Sequence, residues 1–248
     1  MISKIITLMA FTALVGCSSD SASRYPQESY TTKNGENITL TFFRHASLAI
    51  TYNDKQIYID PVTSSADYAT LPHADLILVT HSHDDHLDLA AINSLRDAQT
   101  TLLCDSTSAA SLGENCEVMI PGKSIRPRDY VQIEALPAYN TTEGHLQFHP
   151  RERADCGYLL TIGGSRIYIA GDGENTPEME ALTDIDIAFL PVNQPYTMTV
   201  DQAISVVKTM RPTIFYPYHT GQTEITTDLN RLANELKAFT EVRIRPME

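Results

Sequence analysis

The sequence predicts one layered α/β domain, and three observations support this prediction. The chain has 248 residues, which is long for a single domain but common for a layered α/β or all-β one. Hydrophobic residues make up 42% and charged residues 20% of the chain, which excludes a mainly disordered protein. Segments with the pattern of strands dominate the first half and alternate with helical segments in the second half.

The N-terminal segment has the pattern of a secretion signal. Residues 5–15 are almost continuously apolar, roughly half of the ~20 residues that a membrane-spanning helix needs. The run ends in Leu14-Val15-Gly16-Cys17, which resembles a bacterial lipobox with Cys17 as the lipidated first residue of the mature protein. The alternatives are a secreted protein with a chance cysteine or a buried N-terminal helix.

The lipobox sets the expected domain boundaries and the expected location. We expect a signal peptide over residues 1–16, a flexible tether over 17–36 and a hydrolase domain over 37–248. Acyl chains on Cys17, palmitate among them, would anchor the protein to a membrane. Ser18 resembles the residue at this position in outer-membrane lipoproteins. The expected location is therefore the bacterial cell envelope, on the outer membrane facing the periplasm in a Gram-negative host.

Hydrophobic periodicity then predicts the elements of the domain in order. Two helices are predicted over residues 88–95 and 107–112. A third is predicted to begin at the capping box Thr199-x-x-Gln202, and a fourth to begin near residue 227. Gly163-Gly164 predicts a hairpin turn. The strands are predicted over residues 38–42, 47–52, 56–59, 76–79, 101–104, 117–120, 131–136, 158–162, 166–170, 185–190, 213–216 and 241–244.

Charge and cysteine content exclude two kinds of site. Eighteen basic against 31 acidic residues give a net charge of −13, which argues against a nucleic-acid partner. The four cysteines include no C-x-x-C pair, so a thiolate zinc site is not expected. For Cys104 and Cys116, which flank the helix predicted over 107–112, a disulfide and two buried thiols both remain open.

A dense group of potential metal ligands follows the apolar strand 76–79. Alternation places His81 and His83 on one side of an extended loop, and the turn into the next helix brings Asp85 and His86 to a second position. Neutral imidazoles and a carboxylate are ligands of a borderline divalent metal, of which zinc is the default. The alternative is a solvated loop that is rich in histidine by chance.

The pattern His81-x-His83-x-Asp85-His86 resembles the signature of the metallo-β-lactamase fold superfamily. The resemblance runs from about residue 37 to 246 and implies a four-layer αββα sandwich with a metal site at one edge of its two sheets. Other segments are similar to one branch, the metal-dependent hydrolases related to ascorbate-6-phosphate lactonases. These segments include Phe43-Arg44-His45-Ala46-Ser47, Ile59-Asp60-Pro61, Leu136-Pro137-Ala138-Tyr139-Asn140, Phe148-His149-Pro150, Ala170-Gly171-Asp172 and Tyr216-Pro217-Tyr218-His219.

The resemblance implies one or two divalent metals, with zinc expected and manganese as the alternative. The implied ligands are His81 and His83 for one metal, Asp85, His86 and His219 for the other, and Asp172 between them. One position departs from the family pattern, because Asn140 stands where most members have a histidine. Either the Asn140 amide or His149 from the following loop is expected to fill it, with His145 as a weaker candidate. A missing imidazole would shift the preference toward manganese or leave one site weak.

Three residues have expected roles beside metal binding. Asp60 is expected to accept a hydrogen bond from a ligating imidazole, with a plain turn carboxylate as the alternative. His45 is expected to face the substrate, with a structural strand-end histidine as the alternative. Asp85 is expected both to bind metal and to orient or deprotonate the attacking water.

Together these features predict a hydrolase in which a metal-activated water cleaves a small ester, lactone or phosphoester. The predicted partners are a small-molecule substrate and a membrane, the latter through the lipid anchor. Two alternatives stay open: a true β-lactamase, and a non-catalytic metal-binding lipoprotein on a degenerate hydrolase scaffold. The substrate and the oligomeric state are not determined by the sequence.

Overall fold

The computed structural model describes residues 24–113, 116–221 and 223–247. The predicted signal peptide, Cys17 and the start of the predicted tether lie outside these residues. The described part contains two seven-stranded sheets with helices on their outer faces. Among these residues, none of the helices has both the length and the apolar character required to cross a membrane.

The first sheet is formed by strands that lie side by side in chain order. Its first four strands are antiparallel to one another, and the fourth to seventh are parallel. The strands are β1 (Gln27–Thr31), β2 (Asn37–Arg44), β3 (Ser47–Tyr52), β4 (Lys55–Ile59), β5 (Leu76–Val79), β6 (Thr101–Cys104) and β7 (Glu117–Val118).

The second sheet repeats this topology, with three antiparallel pairings followed by three parallel ones. Its strands are β8 (Ser124–Arg128), β9 (Val131–Pro137), β10 (Cys156–Ile162), β11 (Ser165–Ile169), β12 (Ile187–Pro191), β13 (Ile214–Tyr218) and β14 (Glu241–Val242). Each sheet therefore has an antiparallel half and a parallel half, although the sequence has no recognisable internal repeat.

Five α-helices in the described residues complete the four layers. They are α1 (Leu89–Leu95) and α2 (Ala109–Leu112) on the first sheet, and α3 (Pro177–Glu180), α4 (Val200–Met210) and α5 (Leu229–Leu236) on the second. The predicted capping box is present, since the Thr199 hydroxyl accepts from the Gln202 amide and the Gln202 side chain accepts from the Thr199 amide. The predicted αββα sandwich is confirmed.

The core between the sheets is apolar and aromatic. Phe42, Phe189 and Tyr216 are buried there, and the rings of Phe189 and Tyr216 stack with centroids 4.8 Å apart. Burying rings of this size provides a large part of the hydrophobic free energy of folding. This core holds the two sheets in a fixed relation and therefore fixes the edge where the functional residues lie.

The predicted tether is wrong at its C-terminal end, because residues 27–31 form β1. This edge strand is polar and half exposed, so hydrophobic periodicity could not identify it. Main-chain pairing with β2 holds it, together with Glu28, which accepts a hydrogen bond from Tyr216 at 2.7 Å and an ion pair from Arg243 at 2.8 Å. Strand β8 and helix α3 were also not predicted.

Cys104 and Cys116, for which the sequence leaves both a disulfide and two thiols open, lie side by side. The Sγ atoms of Cys104 and Cys116 are 2.6 Å apart, and both are free thiols in this structure. Cys104 is fully buried, and burial raises the pKa of its thiol. The pair is therefore close enough to form a disulfide.

Candidate metal centre

Strand ends from both sheets meet at one edge of the sandwich, and the predicted ligands lie there. Asp60 directly follows β4, the loop of residues 80–88 follows β5, Asp172 follows β11, and His219 directly follows β13. The strands that carry them are in the parallel half of each sheet, where carboxyl ends share one edge. The fold therefore brings residues from distant parts of the chain to a single place.

The first cluster consists of His81, His83 and His149, and we refer to it as the first metal position. Ligand nitrogens of these three imidazoles lie within 4.8 Å of one another, and His81 Nε2 is 3.1 Å from His83 Nδ1. The structure thus brings His149 to His81 and His83. The Asn140 side-chain nitrogen donates hydrogen bonds to two main-chain carbonyls, those of His145 at 3.0 Å and Tyr196 at 2.8 Å, and its Oδ1 is buried without a hydrogen-bond partner.

The second cluster consists of His45, Asp85, His86 and His219, and we refer to it as the second metal position. Each of these residues offers a ligand atom within 4.8 Å of the others. Asp85 Oδ2 lies 3.5 Å from His219 Nε2 and 3.1 Å from His45 Nε2. The sequence predicts that His45 faces the substrate. In the structure it also contacts Asp85, the carboxylate that is predicted to orient or deprotonate the attacking water.

Asp172 lies between the two positions. Its Oδ2 is 3.6 Å from His149 Nε2 and 3.0 Å from His219 Nε2, and its Oδ1 is 3.4 Å from His86 Nε2. One carboxylate thus faces imidazoles of both clusters, which is the geometry of a bridging ligand.

Two glycines make the Asp172 turn. Gly171 has a φ of +65°, and a Cβ there would lie 2.9 Å from the carbonyl oxygen of Cys156. Gly173 has a φ of +148°, and a Cβ there would lie 2.7 Å from the main-chain nitrogen of Tyr139. A side chain at either position would push the turn, and with it the Asp172 carboxylate, away from the clusters.

A buried carboxylate behind the clusters orients two of the imidazoles. Asp60 is fully buried, and its Oδ2 lies 2.8 Å from His86 Nδ1. The same oxygen accepts a hydrogen bond from the Thr80 hydroxyl at 2.7 Å, and that hydroxyl oxygen lies 3.0 Å from His81 Nδ1. Both histidines therefore have Nδ1 facing this network, which leaves Nε2 of each free to bind a metal.

Three residues in the centre adopt the left-handed backbone conformation that non-glycine residues rarely use. They are Asp60, His45 and His219, with φ of 44°, 56° and 49°. Main-chain contacts hold two of them together, since the His219 amide donates to the His45 carbonyl at 3.2 Å. Such strain persists only where the surrounding structure enforces it, and it is concentrated at functional sites.

Three further contacts on the imidazoles were not predicted from the sequence. They are Asp155 Oδ2 at 3.7 Å from His149 Nδ1, Asn193 Nδ2 at 3.2 Å from His219 Nδ1, and Arg153 Nη1 at 2.7 Å from His83 Nε2. Asp155 directly precedes β10 and Asn193 closely follows β12, so their position at strand ends was the available signal. Polar residues at strand ends are too common for that signal to single them out.

The charges of the centre compensate one another. Burial opposes a charge on His219, but the Asp172 and Asp85 carboxylates together outweigh burial and raise the His219 pKa to about 9. The same competition, with Asp172 and Asp60 outweighing burial, raises the pKa of His86 well above its ordinary value. Burial would raise the pKa of Asp172, but His219 and His86 hold it far below its usual range. Burial and the neighbouring His86 lower the pKa of His81, which is therefore a neutral nitrogen donor.

The donor set fits divalent metal ions. His86 Nε2, His219 Nε2 and Asp172 Oδ1 are buried, lack hydrogen-bond partners, and point toward one another. Such buried polar groups are costly unless something satisfies them. A cation bound between them would do so and would displace protons from the imidazoles, as metal binding to histidine requires.

The centre opens into a cavity of about 500 Å³. Phe148 and Tyr196 form an aromatic wall, with their rings perpendicular and centroids 4.9 Å apart. The other lining residues are His45, His83, Asp85, Gln147, His149, Asp172, Asn193, His219, Gly221 and Thr223. Asp85 and His45 are partly exposed to this cavity, whereas the remaining carboxylate, Asp172, is buried at its base.

Comparisons with known proteins identify the family of the chain. A family model described as a β-lactamase superfamily domain matches residues 39–219. A UPF0173 metal-dependent hydrolase of Pelotomaculum thermopropionicum is 31% identical over 196 residues, covering 73% of this chain and 84% of that protein. A crystal structure of a protein assigned as a metal-dependent hydrolase from Parabacteroides distasonis is 47% identical, with a TM-score of 0.85, and covers 90% of this chain and 100% of that one. Igni18, a metallo hydrolase from Ignicoccus hospitalis, has a TM-score of 0.71 at 24% identity over 85% of this chain and 96% of that one, a likeness that concerns the fold alone.

Proposed function

The chain belongs to the β-lactamase superfamily as a metal-dependent hydrolase, and we propose that it cleaves a small ester, lactone or phosphoester. The observation that carries this proposal is the position of Asp172 between two clusters of imidazoles at the base of a cavity. Such a centre can hold two cations close together beside a bound substrate.

The residues of the chain divide the work at this centre. Bound divalent metals would supply Lewis acidity and lower the pKa of a water molecule. Asp85 is half exposed at the cavity, where its carboxylate can orient a water molecule and accept a proton. His45, 3.1 Å from Asp85 and lining the same cavity, is placed to contact both that carboxylate and the substrate.

The donor chemistry supports zinc as the metal. His149 brings a third imidazole to the first metal position, so the reason for expecting manganese there is weakened. Imidazole nitrogens with a small number of carboxylates are typical ligands of zinc.

The cavity supports a small substrate with an apolar part. The Phe148 and Tyr196 rings offer such a part a wall, while Gln147 and Asn193 offer hydrogen bonds. The similarity of several sequence segments to ascorbate-6-phosphate lactonase relatives supports including lactones. β-Lactam cleavage and metal binding without catalysis remain the alternatives.

Metal analysis followed by a matched substrate panel tests the proposal. We expect the purified protein to bind zinc and to hydrolyse an aryl ester, a lactone or an aryl phosphodiester. We further expect chelation to abolish turnover and added zinc to restore it. Turnover of β-lactams alone would favour the lactamase alternative, and bound zinc without turnover of any class would favour the non-catalytic one.

We also propose that the protein is lipid-anchored in the cell envelope, on the basis of the lipobox at Cys17. Replacing Cys17 with serine should shift the protein from the membrane to the soluble fraction, because the acyl chains depend on that thiol. Cell fractionation and labelling with a palmitate analogue measure the shift, and a Ser18→Ala variant serves as the control that keeps the cysteine. Membrane retention and labelling of the serine variant would rule out the anchor.

A further inference from the structure

We propose that Glu174 is a positioning residue that fixes the loop of residues 141–149 and thereby places His149 at the first metal position. This inference rests on the proposed function, because it concerns how the metal centre of the hydrolase is assembled.

The loop between β9 and β10 needs an anchor. It runs from residue 138 to 155, and its only helical part is a short 3-10 turn at Arg151–Arg153. Residues 141–144 are exposed and contribute no apolar side chain to the core. His149 is nonetheless buried at the far end of this segment. Packing alone therefore does not explain why the segment has a defined course.

The Glu174 carboxylate supplies that anchor. Its side chain is fully buried, and Oε2 accepts hydrogen bonds from the main-chain nitrogens of Thr141 at 2.8 Å and Thr142 at 2.6 Å. The other oxygen, Oε1, lies 3.0 Å from His145 Nδ1. The Glu174 amide also donates to the Tyr139 carbonyl at 3.0 Å. One buried carboxylate thus gathers donors from both ends of the first turn of the loop.

Asn140 ties down the rest of the loop. Its main-chain nitrogen donates to the His149 carbonyl at 2.9 Å, and its side-chain amide donates to the His145 carbonyl at 3.0 Å. His145 is therefore held from its backbone by Asn140 and from its ring by Glu174. Asn140, where the family resemblance leads one to expect a histidine, thus braces the loop that carries His149.

The His149 ring packs against the rings of His81 and His83, but its Nδ1 has no hydrogen-bond partner among the described residues. The nearest carboxylate oxygens, Asp172 Oδ2 to Nε2 and Asp155 Oδ2 to Nδ1, are 3.6 and 3.7 Å away. The loop course therefore decides where His149 Nε2 lies. Glu174 is two residues beyond Asp172, so one short turn sets both the bridging carboxylate and the loop that delivers the third imidazole.

The negative charge of Glu174 suits its role as the anchor of the loop. A carboxylate only accepts hydrogen bonds, and the groups that converge on it all donate. Glutamine at this position would keep one acceptor for the Thr141 and Thr142 amides, and its nitrogen would face His145, which can change tautomer to accept. Glu174→Gln should therefore retain part of the function, whereas Glu174→Ala should retain none of it.

The experiment compares Glu174→Ala and Glu174→Gln with wild type, with His149→Ala as the reference and Glu178→Gln as the matched control. Glu178 is a nearby carboxylate that contacts Tyr139 and Arg151 and makes no hydrogen bond to residues 141–149. Zinc titration against a chelating indicator measures the affinity of each position. Hydrogen exchange of the Thr141 and Thr142 amides, measured without metal, reports the loop directly.

We expect Glu174→Ala to speed amide hydrogen exchange in the loop and to lower the zinc affinity of the first metal position by about 10–100-fold. This is the usual cost of losing a residue that supports a metal ligand without binding the metal itself. His149→Ala should weaken the same position without speeding exchange at Thr141 and Thr142. Glu174→Gln should fall between wild type and alanine, and Glu178→Gln should match wild type. If Glu174→Ala does not fold, zinc titration and amide exchange of Glu174→Gln alone test the inference.

Three outcomes would overturn the inference. Unchanged loop exchange in both Glu174 variants would show that the carboxylate is not an anchor. Faster exchange with wild-type zinc affinity would show that the loop does not control His149. If wild type bound no zinc at either position, the proposed function would fail as well, and the exchange data would still state whether Glu174 holds the loop.

Discussion

Asp172→Asn is expected to remove most of the bound metal and to lower the rate of hydrolysis by more than about 100-fold. Loss of a residue that only hydrogen-bonds to a metal ligand costs up to about 100-fold, and loss of a bridging ligand should cost more. Asp172 faces His149 on one side and His86 and His219 on the other, so its carboxylate can contact a cation at either position. An amide keeps the shape of the carboxylate but loses the negative charge that two adjacent cations require.

Metal content by elemental analysis and turnover of an accepted substrate measure this effect. Asp186→Asn is the matched control, because Asp186 is also a buried carboxylate but pairs with Lys33, at 2.9 Å, away from the metal centre. The control should lose some stability and keep its metal. Full metal content and turnover in Asp172→Asn would contradict the bridging assignment.

The same substitution should change how the stability of the metal-free protein depends on pH. Against the opposing effect of burial, Asp172 and to a smaller extent Asp85 raise the pKa of His219 to about 9, above the ordinary value of 6.5, so the charged imidazole stabilises the folded state. This contribution is complete below about pH 6.5 and is lost as the pH rises through about 9. Denaturant unfolding without metal should show this decline for wild type and a smaller one for Asp172→Asn.

His83→Ala is expected to empty the first metal position and to lower turnover to near background, with the fold retained. His83 is only half-buried and lies in the ligand loop outside the hydrophobic core, so its removal leaves the packing of both sheets unchanged. His81 and His149 would then remain as the only imidazoles of that position, which is too few for a stable zinc site.

Circular dichroism tests whether the fold is retained, and zinc titration tests whether the first metal position is empty. His73→Ala is the control, because His73 contacts the Leu95 carbonyl at 3.2 Å and belongs to neither cluster. It should keep both zinc positions. A His83→Ala protein with wild-type metal content and turnover would require a different ligand assignment.

Local patterns were sufficient to predict the fold class and the segment that carries the first ligands. The strand β5 is a fully apolar run, and the four ligand residues from His81 to His86 follow it within a few positions. Because these features lie within one short stretch, periodicity and residue chemistry identify them without knowledge of distant contacts. Asp172 and His219 could be named through the resemblance of their segments to the superfamily, and the structure places both beside this loop.

Features that depend on long-range contacts were not accessible in the same way. The sequence left the choice between Asn140 and His149 open, because it depends on the course of a loop without regular structure. That course is set by Glu174, whose partners lie about thirty positions earlier in the chain. The edge strand β1 was missed for a related reason, since main-chain pairing and contacts from Glu28 to distant residues hold it.

The sequence therefore predicted which residues could bind metal, and its resemblance to the superfamily implied a sandwich of two sheets. Only the tertiary structure brings His149 beside His81 and His83, gives the Asn140 amide its main-chain partners, and places Asp60 and Thr80 against Nδ1 of His86 and His81. The physical reason is that ligand chemistry and strand periodicity are properties of single residues and short segments. Convergence at one edge is instead produced by burial and hydrogen bonding between segments that are far apart in the chain.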